Sequence, residues 1–196
     1  MVAANDGMVH AFDASTGAEL FAYVPAQVLP DMYKLADPSY NHQYFADGSI
    51  TIETVEAKSG ATTTSKIIAV GSLGLGRPGL YALDVTDIDN PTILWEIKES
   101  DLLSGHTCAG GKTCSDLGNF YSAPAIKKMA DGKWWVIFGN GYNSDLGSLA
   151  SKSGNGVVYL VDALKGTGTG SNAAIKLDTK YGFGKDPRDL AVDAST

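Results

Sequence analysis

The sequence predicts an all-β fold made of repeated antiparallel sheets, and three observations predict it. One strand–turn–strand layout recurs three times along the 196 residues. Glycine (23) and tyrosine (9) are abundant, and no Leu/Glu/Lys periodicity of helical spacing runs through the chain. The apolar stretches, such as Ile67-Ile-Ala-Val70 and Val157-Val-Tyr-Leu-Val161, are short and rich in β-branched residues.

The recurring unit is a short strand ending in Asp, a turn, and a second strand. It reads Gly7-Met-Val-His-Ala-Phe-Asp13, then Gly17, then Glu19-Leu-Phe-Ala-Tyr-Val24. Its second copy is Gly79-Leu-Tyr-Ala-Leu-Asp84 followed by Ile93-Leu-Trp-Glu-Ile-Lys98. The third is Gly156-Val-Val-Tyr-Leu-Val-Asp162, then Gly166, then Ala174-Ile-Lys-Leu-Asp178. A carboxylate at a strand end accepts backbone N–H bonds from the turn that follows, and a glycine four residues on supplies a positive φ. The second strand returns antiparallel, with an aromatic or branched residue facing inward.

Asp13, Asp84 and Asp162 are 71 and 78 residues apart, too far for a single hairpin per period. A second hairpin fills each gap. Ser49-Ile-Thr-Ile-Glu-Thr-Val-Glu56 alternates in polarity as a strand with one wet face does; a polar turn from Gly60 to Ser65 and the strand Lys66 to Gly71 follow. Ala123 to Met129 and Lys133 to Gly139 flank Asp131-Gly132, a hairpin signal. Four sequential antiparallel strands form one blade of a β-propeller. The chain therefore predicts a partial β-propeller of about two and a half four-stranded blades. In this reading the whole chain is a fragment of one domain: residues 1–24 end a blade, 49–98 and 123–178 are blades, and 179–196 is a tail. A short helix is expected from Pro30 to Ala36, with proline at its start. Propellers close with about four to eight blades, so the outer faces should be apolar and open to a covering copy, and self-association through open blade edges is expected.

Composition excludes several classes of function. The net charge is −7 and the only arginines are Arg77 and Arg188, so no basic cluster exists to replace phosphate counterions, and nucleic acid is not an expected partner. No apolar run approaches the ~20 residues of a membrane-spanning helix. Met1 leads straight into strand-like sequence with no leader, so the natural start is expected to lie upstream. Cys108 and Cys114 bracket a Gly110-Gly111 loop that is easy to close. Two free thiols in an exposed loop are the plainer reading. We favour a disulfide, and with it an oxidising compartment, because free thiols in such a setting would be reactive.

Several motifs carry a chemical reading that weakens on inspection. Gly74-Leu-Gly76-Arg-Pro-Gly79 spells a dinucleotide fingerprint, but a strand follows it instead of the helix that would receive a pyrophosphate. His106, Cys108 and Cys114, with Asp101 or Asp116 as a fourth, fit no zinc spacing. Asp84, Asp87, Asp89 and Asn90 crowd oxygen ligands, yet depart from a calcium loop and lack its bidentate Glu, so turn-capping is the better reading. Gly139-Asn-Gly-Tyr-Asn-Ser144 supplies left-handed turns. Tyr33, Tyr40, Tyr44 and Phe45 offer a partner surface, but the preferred reading is that they pack a long loop onto the sheets. His10 lies within a strand and is read as structural. No catalytic constellation and no metal or organic cofactor site is expected.

The run Val2 to Gly17 with Glu19 to Pro25 resembles the C-terminal propeller of type IV pilus tip-associated adhesins of the PilC/PilY type. Further similar segments follow in the family's order: Leu35 to Pro38, His42 to Gly48, Gly79 to Asp87, Leu94 to Glu96, Gly132 to Ser144 and Val158 to Asp162. The resemblance implies a secreted protein at the cell surface, pilus tip or outer membrane of a Gram-negative bacterium. It implies minor pilins and a host-cell or surface receptor as partners, and a role in attachment and in opposing pilus retraction. The Asp-rich calcium loop of many members is not found; Ala191-Val-Asp193 resembles only its lead-in, so calcium binding is not carried to named residues. The family's N-terminal region, where adhesive function is often placed, is also not found. An enzymatic alternative remains, because Asp13, Thr16, Gly17 and Phe21 are similar to the blade motif of quinone-dependent dehydrogenases. A periplasmic assembly scaffold is a third reading.

Overall fold

The computed structural model describes residues 1–102, 115–142, 155–167 and 174–182. His106, Cys108 and Cys114 lie outside the described residues, so the expected disulfide does too, as does the tail from residue 183 onward. The chain is all-β, with three antiparallel sheets in meander order, the architecture of a partial propeller. The first sheet contains β1 (Val2–Ala3), β2 (Val9–Phe12) and β3 (Glu19–Tyr23). The second contains β4 (Ile50–Ser59), β5 (Thr62–Ser72), β6 (Gly79–Asp84) and β7 (Thr92–Lys98). The third contains β8 (Ala125–Lys128), β9 (Trp134–Gly139), β10 (Asn155–Asp162) and β11 (Ile175–Gly182).

Two local features differ from expectation. β1 adds a third strand to the first sheet by pairing Val2 with His10 and Ala3 with Val9. Two residues are too few for alternation to show in sequence. The turn expected from Gly60 to Ser65 contracts to Gly60 and Ala61, because Thr62 to Ser65 continue the ladder opposite Ser59 to Glu56. Threonine is β-branched and favours strand, and Gly60 takes the turn with φ +61°. A 3₁₀ helix spans Leu29–Ala36, with Pro30 in its first turn.

The middle sheet is covered on both faces. Along β6, Leu80 and Ala82 join Val136, Phe138, Val157 and Tyr159 of the third sheet in one core. The alternate residues Tyr81 and Leu83 pack with Val9, Tyr23 and Val28 in a second core. All six residues of β6 are therefore buried. Alternation still sets which side each residue serves, although it no longer separates apolar from polar. Each buried large aliphatic side chain contributes roughly 1.5–3 kcal/mol relative to leaving it exposed. Trp95 of β7 also bonds across the seam, its Nε1–H donating to the Ala163 carbonyl at 3.0 Å. The outer faces keep apolar rows: Val2, Phe12 and Leu20 on the first sheet, Ile175 and Leu177 on the third, are exposed. His10 also lies on the first outer face, between Glu19 at 2.5 Å and Asp6 at 2.9 Å. Its hydrogen bond to Glu19, helped by Asp6, raises its pKa against partial desolvation.

Candidate functional site

The sheet stack has two ends of different construction. One carries the recurrent Asp turns. Asp13 Oδ1 accepts the Ser15 and Thr16 N–H groups at 2.9 and 2.8 Å and both hydroxyls. The Ser15 hydroxyl, then those N–H groups and Thr16, hold its carboxyl at about 2. Asp162 Oδ1 accepts the Leu164 and Lys165 N–H groups at 2.9 and 3.0 Å. Gly17 and Gly166 close these turns with φ +74° and +66°. Burial opposes ionisation of Asp84, but Lys66 and Thr86 outweigh it and keep its carboxyl below the usual range. Asp87 accepts the Asp89 N–H at 3.1 Å and the Asn90 side-chain amide at 3.0 Å. The Asp84 and Asp87 carboxylates are thus engaged, Asp84 by Lys66 and Thr86 and Asp87 within its own turn. Among the described residues no three His, Cys, Asp or Glu side chains converge to hold a metal ion.

The opposite end is stitched by long-range contacts and presents tyrosines. Asp47 Oδ1 accepts the Leu75 N–H at 2.8 Å. The Asn119 side-chain amide donates to the Gly74 carbonyl at 3.0 Å. Asn119 and Tyr142 exchange backbone bonds at 2.8 and 2.6 Å, and the Ser49 hydroxyl donates to the Tyr121 carbonyl at 2.7 Å. Glycine is required here by close approach: a Cβ on Gly76 would lie 1.9 Å from the Phe45 carbonyl oxygen, and one on Gly141 2.3 Å from that of Asn119. The Gly74–Gly79 motif is therefore a blade loop pressed against residues 45–48, leading into β6.

This scaffold holds Tyr44, Tyr121 and Tyr142 outward. His42 meets the Tyr44 ring edge-on, with centroids 5.0 Å apart. Partial desolvation, then Asp47, Tyr44 and Tyr142 around it, raise the Tyr121 phenol. The aromatic loop divides its residues between packing and display. Phe45 is buried and Tyr40 packs beside it in the second core, whereas Tyr33 and Tyr44 are exposed. In the Gly139–Tyr142 turn, Asn140 is structural, bonding the Asn155 carbonyl and the Val157 N–H at 2.8 and 3.1 Å, while Tyr142 faces solvent. Tyr121 carried no motif in the sequence; only Ser49 and the second-to-third-sheet connection bring it beside Tyr44. Asp101 and Asp116, weighed as zinc ligands, have other partners: Asp101 accepts the Lys98 N–H at 3.0 Å, and Asp116 is paired with Lys176.

Residues 1–186 match the family described as the PilY1 beta-propeller domain. The chain belongs to the PilY1 β-propeller family. A PilY1 homolog of Xylella fastidiosa, named a type IV pilus biogenesis factor, is 44% identical over 144 residues, 73% of this chain and 10% of that protein. The PilY1 of Pseudomonas aeruginosa, of the same description, is 38% identical over 169 residues, 85% of this chain and 13% of its own length. The chain thus spans about an eighth or less of these relatives. The crystal structure of the P. aeruginosa PilY1 C-terminal domain superposes with a TM-score of 0.63 at 30% identity, covering 94% of this chain and 31% of that one. No helix among the described residues of this PilY1-family chain is long and apolar enough to cross a membrane.

Proposed function

We propose that this chain is a non-catalytic part of a type IV pilus tip-associated adhesin and biogenesis factor, acting in surface attachment and in the balance of pilus extension and retraction. The family match along residues 1–186 carries the reading. The protein works at the surface of a Gram-negative bacterium, at the pilus tip or outer membrane, with minor pilins and a host-cell or surface receptor as partners. Tyr44, Tyr121 and Tyr142 supply a rigid aromatic docking surface, the side-chain type enriched where binding energy concentrates. The apolar outer faces receive further blades of the same ring, and Cys108 and Cys114 are joined in the oxidising exterior. No organic cofactor takes part.

The test replaces Tyr44, Tyr121 and Tyr142 by serine in the full-length protein of the producing strain, beside an in-frame deletion of residues 1–186. The deletion should reduce surface pili and attachment, and the triple variant should reduce attachment at unchanged protein level. Wild-type piliation and attachment in the deletion strain would overturn the reading. So would stoichiometric uptake of pyrroloquinoline quinone with calcium.

A further inference from the structure

A groove of about 310 Å³ opens at the Asp end, in the seam between the second and third sheets and away from the tyrosines. Glu56 and Lys58 of β4, Lys133 and Trp134 at the start of β9, and Asp162 and Lys165 of the turn after β10 line it. The topology brings these segments together. β9 and β10 run antiparallel with Trp135 opposite Asp162, so the Asp131-Gly132 turn and the Asp162 turn fall at the same end. Lys128 Nζ, 2.5 Å from Glu56 Oε2, ties β8 to β4 and sets Lys58 beside them.

Two features of this groove suit an occupant. The first is charge. Lys58, Lys133 and Lys165 are exposed, in a chain of net charge −7. Among the described residues none of the three forms an ion pair. Glu56 is already paired with Lys128, which, with a smaller contribution from the charge of Lys58, holds its carboxyl below the usual range. Asp162 Oδ1 is committed to the Leu164 and Lys165 N–H groups. Lys133 Nζ also lies over the Trp135 ring, 6.0 Å from its centroid. The second feature is Trp134. The Trp95 indole N–H donates to the Ala163 carbonyl at 3.0 Å and that of Trp135 to Asp131 Oδ2 at 3.3 Å. The Trp134 N–H is buried behind the groove wall without a hydrogen-bond partner. A buried donor left unmatched costs about 1–3 kcal/mol, and no such bond locks the half-buried Trp134 ring in place.

We propose that this groove binds a carboxylate-bearing saccharide of one or two rings, a uronate or a sialate. The lysine ammonium groups hold the carboxylate. The Trp134 ring and Leu164 take the C–H face of the sugar, and a sugar hydroxyl donates to Asp162 Oδ2. A small turn of the indole brings its N–H to a ring or hydroxyl oxygen and satisfies the unmatched donor. A plain inorganic anion has no donor for Asp162 and no apolar face for the indole. A neutral sugar leaves the ammonium groups without a counterion. The volume lies at the small end of ligand pockets, ~300–1,000 Å³, which suits one or two sugar rings.

Isothermal titration calorimetry of the full-length protein with glucuronate and with N-acetylneuraminate tests this, beside glucose, acetate and sulfate. At least one acidic sugar should bind saturably, about tenfold or more tighter than glucose, acetate or sulfate. Lys133→Gln and Lys165→Gln, both at exposed positions, should each weaken that binding about tenfold with an unchanged circular dichroism spectrum. Trp134→Phe keeps a ring face and removes the N–H, and should weaken it about three- to tenfold. Absence of saturable heat with both acidic sugars would overturn the proposal. So would acetate or sulfate binding as tightly, which marks an adventitious ion only, glucose binding as tightly, or wild-type affinity in both lysine variants.

Discussion

The two ends of the sheet stack solve the same problem, closing a strand and turning the chain, by opposite means. At the Asp end the partners are two or three residues apart: Asp13 with Ser15 and Thr16, Asp162 with Leu164 and Lys165. At the tyrosine end they come from distant segments: Asp47 with Leu75 and Asn119 with Gly74. The first arrangement survives wherever the local sequence is kept. The second exists only when the sheets are already stacked, so it is where an interaction surface can be held rigid by the whole fold.

Three glycines with nearly the same φ turn this contrast into a measurement. Gly141, Gly166 and Gly17 sit at φ +75°, +66° and +74°, so alanine meets a similar backbone penalty at each. Their surroundings differ. A Cβ on Gly141 meets the Asn119 carbonyl oxygen at 2.3 Å, one on Gly166 meets the Trp95 ring at 2.7 Å, and one on Gly17 meets nothing within 4 Å. Gly141→Ala should cost about 3–5 kcal/mol, Gly166→Ala about 2–3 and Gly17→Ala about 1, read from urea unfolding. Equal losses at the three sites would break the comparison. Removing the Asn119 side chain should cost about 1–2 kcal/mol, since it leaves the Gly74 carbonyl without that donor. A change below about 0.5 kcal/mol on Asn119→Ala would show that this stitch is dispensable.

The smallest effect belongs to the Asp end and is read by pH. The Asp13 carboxyl sits at about 2 against an ordinary 3.8. A depressed carboxylate stabilises the fold above its unfolded pKa, and that contribution fades as pH falls through the folded value. Carbon-detected NMR of Asp13 should show a midpoint near 2, and a loss of the turn only below the range in which ordinary carboxylates titrate. A midpoint at 3.8 would mean the four donors do not hold it.

How much was legible in sequence follows the same division. The repeats of Gly79 to Asp84 and Gly156 to Asp162 became β6 and β10 because strand alternation and strand-end Asp are local signals. The strands flanking the Ser59–Thr62 hairpin run longer than the sequence shows, because a run of polar threonines reads as turn when its pairing partner is ignored. Phe45 and Tyr44 are adjacent and chemically alike, yet one is buried and the other exposed, which no composition argument separates.

The order of residues by itself determined the sheet count, the meander, the Asp turns and the family, since each depends on short-range pattern or collinear similarity. Tertiary structure alone decided which tyrosines share a surface and which lysine meets a carboxylate out of water. Tyr121 reaches Tyr44, and Lys176 reaches Asp116, only after stacked sheets bring residues 60 or more positions apart into one low-dielectric or solvent-facing place.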